Sequence, residues 1–533
     1  MTPRAAEVAD VLVVGVLAWV AGFLYYEQTP NDAAVDTPNQ AATRLSVHAY
    51  CEPGPHEVNC RGQRGGLIEW TVYETGDRTI ASMQRGGRTS QTYVYVTQDG
   101  ATKQRITLDQ YGRVQSTLTF VSPHRYSMRE RNGANALDGC STMDFEVDKA
   151  GHVASTRCLG RNGEPMLDTD GVARRTYRRD AQGIVLEQAR FALDGAPIAD
   201  TTGVHRVIYE LDPDGRDLAQ RYRGIDDKPV ASNANGCHGV RSEYDRGLEV
   251  RSICIGADDK PTNETTGTAI DTYAYDARGC EIRHRKIAAL GSDHSQDRGD
   301  DYLVDEQCQD TRHTCVNGDS KPKPCGIDEP ARYDHTYDRW GRVISTSHYD
   351  VDGSPTKEPT SGVFELRSAY DDLDNQISIA CFDASHHAVV CGTYGFHQDK
   401  SEYDAAGREL VRSYFDTAGN PTTNKGAASR HFTYDNYDRK VETTNYDANG
   451  TLIEPLRYDR YDVAHRRSAI VMLDKRGNPA VLAGCFNNAT CTKPWNMVRI
   501  VRGADGTVTN NQFFDATNQW IETVDCKKAR CIE

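Results

Sequence analysis

One short pattern returns along most of this chain and limits what it can become. In YDAAGRELVRSYFDTAGNPT, which begins at Tyr403, the aromatic residue is position zero. Asp404 follows at +1, Gly407 at +4, Phe415 at +12, Asp416 at +13, Gly419 at +16 and Pro421 at +18. The +1 aspartate recurs as Asp109, Asp148, Asp180, Asp212, Asp245, Asp276, Asp305, Asp338, Asp371, Asp404, Asp435 and Asp462, a unit of about 32 residues. Proline keeps +18 at Pro165, Pro197, Pro229, Pro322, Pro355, Pro421 and Pro479. A degenerate thirteenth copy runs from Arg502 through Gly506 to Phe514 and Asp515. Positions held in phase over this many units are a tandem repeat, and 533 residues are reached by adding units rather than by enlarging one core.

Each unit holds two copies of aromatic-Asp-x-x-Gly, and the physics of that pattern is a turn. An aspartate side chain accepts a hydrogen bond from the backbone two residues on, and glycine supplies the positive φ that closes a type I turn with a bulge. Flanking segments such as HFTYD, ELVRSYFD and VISTSHYD are rich in strand-forming residues. The expected fold is all-β: tandem β-hairpin repeats forming a long antiparallel sheet or solenoid, each hairpin supported by its neighbours, with a longer Gly/Pro loop between units. The apolar positions +7 (Leu186, Leu218, Ile282, Ile344, Leu410, Val441) and +12 (Phe191, Ile287, Tyr349, Phe382, Phe415, Tyr446) differ by an odd number. In a regular strand they would face opposite ways, so either a bulge intervenes or both faces are partly covered.

The recurrent Tyr-Asp-x-x-Gly-Arg, as in Tyr337–Arg342 and Tyr403–Arg408, resembles the YD repeats of bacterial RHS proteins over roughly residues 108–520. The period here is longer than that family's, and neither the RHS core signature nor a toxin-like tail is present. The resemblance implies a long sheet of hairpins on an exported bacterial protein. It does not carry over a toxin-enclosing role, twelve units being few for a closed shell.

From Val11 to Tyr26 the chain reads VLVVGVLAWVAGFLYY, uncharged and ending in aromatics, and from Val8 it is long enough to span a bilayer. An uncleaved anchor and a cleaved signal peptide are the two readings, and no clean small-x-small cleavage site follows. Sixteen cysteines, none before Cys51, fall in close couples: Cys51/Cys60, Cys140/Cys158, Cys237/Cys254, Cys280/Cys308, Cys315/Cys325, Cys381/Cys391, Cys485/Cys491 and Cys526/Cys531. Without CxxC or zinc-finger spacing, disulfides in an oxidising compartment explain them. Cys315 and Cys381 both stand at +11, and Cys325 and Cys391 at +21, so equivalent places imply equivalent bridges. Cys280 at +5 and Cys308 at +4 of the next unit are expected to bridge neighbouring turns. The expected organisation is a cytoplasmic tip and transmembrane signal-anchor at 1–26, a flexible linker at 27–45 and an N-terminal β cap at 46–107. Hairpin repeats follow at 108–495, then a degenerate repeat with a disulfide cap at 496–533. That places a single-pass protein in the inner membrane with its bulk in the periplasm or outside the cell.

Catalytic sets are missing: the chain has no GxSxG, no HExxH and no phosphate loop, and it is expected not to be an enzyme. His386 and His387, between Cys381 and Cys391, have no carboxylate at ligand spacing, so no metal site is expected. Asp350-Val351-Asp352-Gly353 and Asp212-Pro213-Asp214-Gly215 resemble the start of a calcium loop but lack the closing glutamate, and their aspartates have turns to form. No cofactor is expected, with calcium as the alternative these loops offer. A formal net charge of −15 argues against nucleic acid. Tyrosine fills position zero at Tyr244, Tyr275, Tyr337, Tyr370, Tyr403, Tyr434 and Tyr461. Such a ladder either packs the sheet through its hydroxyls or, at Tyr370, Tyr403 and Tyr434, offers an aromatic track to a glycan or peptide. The functional expectation is a membrane-anchored scaffold binding an envelope protein or polysaccharide. The alternatives are a glycan-acting enzyme and a fragment-like relative of RHS polymorphic toxin systems.

Overall fold

A computed structural model describes residues 45–526, other than 48, 54–57, 63–67, 76, 86–87, 135, 181–182, 214, 290, 327–328, 359–360, 436–438, 462–466, 482–493 and 503–507. The apolar segment 11–26, most of the linker, and Cys485, Cys491 and Cys531 lie outside the described residues. Among the described residues, no helix is long and apolar enough to cross a membrane.

The chain divides into two compact units, 1–120 and 121–533. In the first, strands Ile68–Thr75, Arg78–Arg85, Arg88–Gln98, Ala101–Leu108 and Val114–Ser122 form an antiparallel meander. Tyr95, Ala81 and Leu118 are buried on one of its faces and Val94 and Leu108 on the other. Cys51 and Cys60 stand opposite one another in the separate hairpin Ala49–Pro53/Val58–Gly62.

In the second unit, the strands from Arg125–Glu130 to Trp520–Asp525 pair antiparallel in chain order. The only helical turn among its described residues is the 3₁₀ segment Gly392–Tyr394. The local code explains each hairpin. Asp404 Oδ1 accepts from the backbone N–H of Ala406 (2.9 Å) and of Arg408 (3.0 Å), and Gly407 closes the turn with φ +71°. The ladder then runs Tyr403 opposite Glu409 and Glu402 opposite Val411, skipping Leu410. Position +7 is therefore the bulge residue, as it is at Ile344 and Leu218. This resolves the odd spacing of +7 and +12, and it leaves Leu410 and Ile344 exposed rather than in a core.

The connection between hairpins is more ordered than a loop. Asp416 builds a second turn by accepting from Ala418 and Asn420 N–H (2.9 and 2.8 Å), and Pro421 then returns as a bridge opposite Phe415. A third tight turn follows from +21. Asp200 takes N–H groups of Thr202 (2.9 Å) and Val204 (3.1 Å), and Asn424 N–H donates to Ala427 O (2.8 Å). Under these returning segments lies the apolar core, in local clusters. One comprises Val363, Cys381, Cys391, Phe396 and Tyr414, and another Leu137, Cys140, Cys158 and Met166.

The two sheet faces differ. Asp399 and Ser401, on the side of Tyr403, are buried, whereas Lys400 and Glu402 on the other side are exposed. We call these the inner and outer faces. The sheet also coils back on itself within this unit. Arg131 donates to Asp372 O through Nε (3.0 Å) and Nη2 (2.6 Å) and lies 3.5 Å from Asp374 Oδ2. Beside it a Cβ on Gly133 would stand 2.4 Å from Ala405 O, so only glycine admits this approach.

Candidate functional site

The Tyr-Asp-x-x-Gly-Arg motif proves to be an inter-repeat strut. The Tyr370 hydroxyl donates to Val343 O (3.1 Å), Tyr403 to Gln376 O (3.0 Å) and Tyr434 to Glu409 O (2.8 Å). Tyr244, Tyr275, Tyr337 and Tyr461 do the same to Asp217, Glu249, Asp310 and Lys440. In each case the acceptor is a backbone carbonyl of the preceding hairpin just past its turn. The arginine at +5, whose role the sequence pattern alone does not show, closes the rim from the other side. Arg408 Nε lies 2.7 Å from Asp404 Oδ2, and its guanidinium stacks 5.2 Å from the ring centre of Tyr434. Arg342 over Tyr370 (5.0 Å), Arg216 over Tyr244 (5.2 Å) and Arg439 over Tyr461 (4.6 Å) repeat the arrangement. Burial raises the Tyr403 hydroxyl pKa, and burial with the nearby Glu409 carboxylate takes Tyr434 to about 12. The hydroxyls of all three tyrosines are hydrogen-bond donors engaged within the array.

The cysteines occupy a second recurring place. Disulfides join Cys140 to Cys158, Cys237 to Cys254, Cys280 to Cys308, Cys315 to Cys325 and Cys381 to Cys391, with Cα separations of 5.2–5.4 Å. Cys526 is also disulfide-bonded. Cys315–Cys325 and Cys381–Cys391 join +11 to +21. In the repeat beginning at Arg179 the same two positions hold Arg190 and Asp200, whose Nε and Oδ2 lie 2.8 Å apart. Three repeats therefore carry a brace at this location, two of them a disulfide and one an ion pair.

The inner face carries a chain of acids and bases across four neighbouring strands. Asp271 Oδ1 lies 2.6 Å from His284 Nε2, His284 Nδ1 lies 3.8 Å from Asp300 Oδ2, and Asp300 Oδ1 lies 2.7 Å from His313 Nε2. Tyr273 stacks on His284 (4.9 Å), and Tyr302 and Tyr333 flank His313. Burial works to raise Asp271 and Asp300, but the histidine hydrogen bonds prevail and hold both below the ordinary carboxylate value. His313 lies 3.6 Å from Cys315 Sγ, whose sulfur is bonded to Cys325.

His386 does meet a carboxylate, one that sequence spacing does not reveal. Glu365, buried on the neighbouring strand, binds His386 Nδ1 (2.6 Å), Arg367 Nε (2.8 Å) and Ser345 Oγ (2.7 Å). Burial pushes Glu365 up, yet these three donors hold it down at about 2. His387 is exposed, 3.6 Å from Asp383. In the two acidic loops Asp212 and Asp352 serve turns: Asp212 binds Arg216 N–H and Nε, and Asp352 accepts from Ser354 N–H and Oγ, while Asp214 lies outside the described residues.

The outer face is laced with cross-strand ion pairs, among them Arg221–Glu210, Arg283–Asp301 and Arg312–Asp334. It also holds two open clefts. One of about 460 Å³ is lined by Arg283, Arg285, Arg298 and Ser320. There Gly299 lets Arg285 lie flat across its strand, since a Cβ would stand 2.6 Å from Arg285 Cδ. The second, of about 380 Å³, is lined by Arg460, Arg467, Arg499 and Arg502 with Ser468 and Met497, and among the described residues by no carboxylate, though Arg467 lies 3.5 Å from Asp459 Oδ1.

No protein-family model and no curated protein matches the chain. Among solved structures it is similar to the Tc holotoxin pore of Photorhabdus luminescens, at 12% identity over 85% of this chain and 28% of that one, TM-score 0.22. A TcdB2–TccC3 structure without its hypervariable C-terminal region gives 12% identity over 94% and 36%, TM-score 0.24. A porin-like protein from Bacteroides uniformis gives 10% identity over 46% and 86%, TM-score 0.17. This chain spans about a third of the length of the toxin chains it overlaps.

Proposed function

We propose that this chain is a membrane-anchored, extracytoplasmic scaffold that binds an extended protein or polysaccharide partner along the outer face of its hairpin array, and that it is not an enzyme. The observation that carries the reading is the placement of its clefts. Both are shallow, open and arginine-lined, and both sit on the exposed face. The tyrosines and the histidine–aspartate chain of the inner face are engaged with one another and with backbone. A long repetitive surface suits an extended ligand better than a small metabolite in a deep pocket. Paired cysteines support an oxidising compartment. The apolar segment 11–26 would hold the array at the inner membrane, and the likeness to YD repeats favours an exported protein.

The test is capture from the intact envelope with the full chain, protein and polysaccharide fractions being analysed separately. A saturable partner in one fraction supports the scaffold, whereas turnover of envelope glycan by the purified chain refutes it. Replacing Tyr370, Tyr403 and Tyr434 together by Ala, with the disulfides still formed, tests the aromatic ladder as a binding track. Retained capture assigns all three to the array itself.

A further inference from the structure

We propose that the C-terminal end of the outer face binds an acidic glycan, with its carboxylates held by Arg460 and Arg499 and its sugar rings stacked on Trp520. This rests on the scaffold reading and narrows it to one ligand class and one place.

Five adjacent strands build the surface. Arg460 stands directly opposite Ala469, and Ala469 opposite Arg499. The next pair along that strand sets Met497 opposite Phe514, and Phe514 opposite Trp520. Arg499 stacks 5.2 Å from the Phe514 ring centre, which places guanidinium and aromatic on the same side. From the strand of Arg460 to that of Trp520 are four strand spacings, about 19 Å.

Charge distinguishes this region from the middle of the face. There the +8 position is an arginine facing an acid, as Arg283 meets Asp301 and Arg312 meets Asp334, whereas here Ala469 holds +8 and faces Arg499. Here the partner positions are Ala469 and Gln512, and Arg460 and Arg499 form no ion pair among the described residues. Both are exposed, on a chain with net charge −15. A protein this acidic repels a polyanion over most of its surface, so the two exposed guanidinium groups of Arg460 and Arg499 localise one. The guanidinium fork matches a carboxylate in two parallel hydrogen bonds, which selects arginine for this task.

Trp520 supplies the second element. It is 63% exposed, with its indole Nε1 donating to Thr523 Oγ1 at 3.1 Å, so the ring is held in place while its face remains open. The corresponding position in other repeats is the bridging proline, as at Pro421 opposite Phe415. A large apolar face kept in water beside unpaired cations suits a ligand with both apolar sugar faces and anionic groups.

The experiment measures binding of the full chain in detergent to polygalacturonate, with dextran as the neutral glycan and single-stranded DNA as the non-glycan polyanion. The expected result is binding to polygalacturonate that weakens with salt, with dextran unbound. R460E/R499E and R460Q/R499Q should lose about tenfold or more, the equivalent of one charge-assisted hydrogen bond. W520A should weaken polygalacturonate binding and leave any DNA binding unchanged. Because all three side chains are exposed, the thermal midpoint of each variant should match the parent. Unchanged affinity in both arginine variants, or no polygalacturonate binding, overturns the proposal. Equal binding of DNA and polygalacturonate with no effect of W520A also overturns it, leaving bare polyanion adsorption. If R460E/R499E still captures the envelope partner at parental strength, the scaffold survives and the acidic-glycan site fails.

Discussion

The brace between +11 and +21 can be moved from one repeat to another. Cys315–Cys325 and Cys381–Cys391 close segments with a sequence separation of 10 at Cα distances of 5.2 and 5.4 Å. Arg190 and Asp200 sit in the same hydrogen-bond frame. Ile198 N–H donates to Arg190 O at 3.1 Å, as Val389 does to Cys381 and Lys323 to Cys315. Asp200 N–H donates to Val204 O at 3.0 Å, as Cys391 does to Phe396 and Cys325 to Pro330. R190C/D200C is therefore expected to oxidise without backbone movement. For a loop of about ten residues the chain-entropy relation gives roughly 2.7 kcal/mol of stabilisation of the oxidised over the reduced variant. R190C alone should instead destabilise the repeat by about 3–5 kcal/mol, because Asp200 keeps a buried charge without its partner. Unfolding of a repeat array need not be two-state, so the readout is local: amide exchange across Arg174–Phe191 and Arg206–Leu211, with and without reductant. Non-reducing peptide mapping establishes the bond. Free thiols at both positions in folded, oxidised protein would refute the equivalence of the two sites.

Three further outcomes follow from the geometry. Tyr403→Phe removes the bond to Gln376 O and should cost about 1 kcal/mol, read as faster exchange of the 376–382 and 398–403 amides, while Tyr403→Ala should cost more. Glu365 has a folded-state pKa of about 2, below its ordinary 4.5. Its contribution is complete above about 4.5 and is lost as pH falls through 2. Acid unfolding followed by fluorescence should therefore shift to higher pH in Glu365→Gln, and an unshifted midpoint would contradict the assignment. Arg131→Ala should speed proteolysis of the 131–141 loop, leaving the far hairpins protected, if the contact with Asp372 and Asp374 holds that loop.

What the sequence determined by itself is what lies within five consecutive residues. Asp404 and Gly407 encode their turn through the Asp404 carboxylate and a positive φ, so hairpin, period and antiparallel order follow from reading one unit twelve times. The cysteine couples are legible for a related reason: a fixed place in the repeat carries a fixed geometry. Tertiary structure decided everything that depends on which strand lies next door. It made Leu410 a bulge residue, turned a supposed loop into a third tight turn at Asp200 or Asn424, and set Arg408 on the following repeat's Tyr434. It also brought Glu365 to His386 and ranked Arg190–Asp200 with the disulfides. The clefts belong here too, since Arg460 and Arg499 meet only because Ala469 pairs with both. A turn is encoded by residues that touch through their own backbone. A cross-strand neighbour is chosen by register, and one bulge per hairpin shifts that register where no local pattern records it.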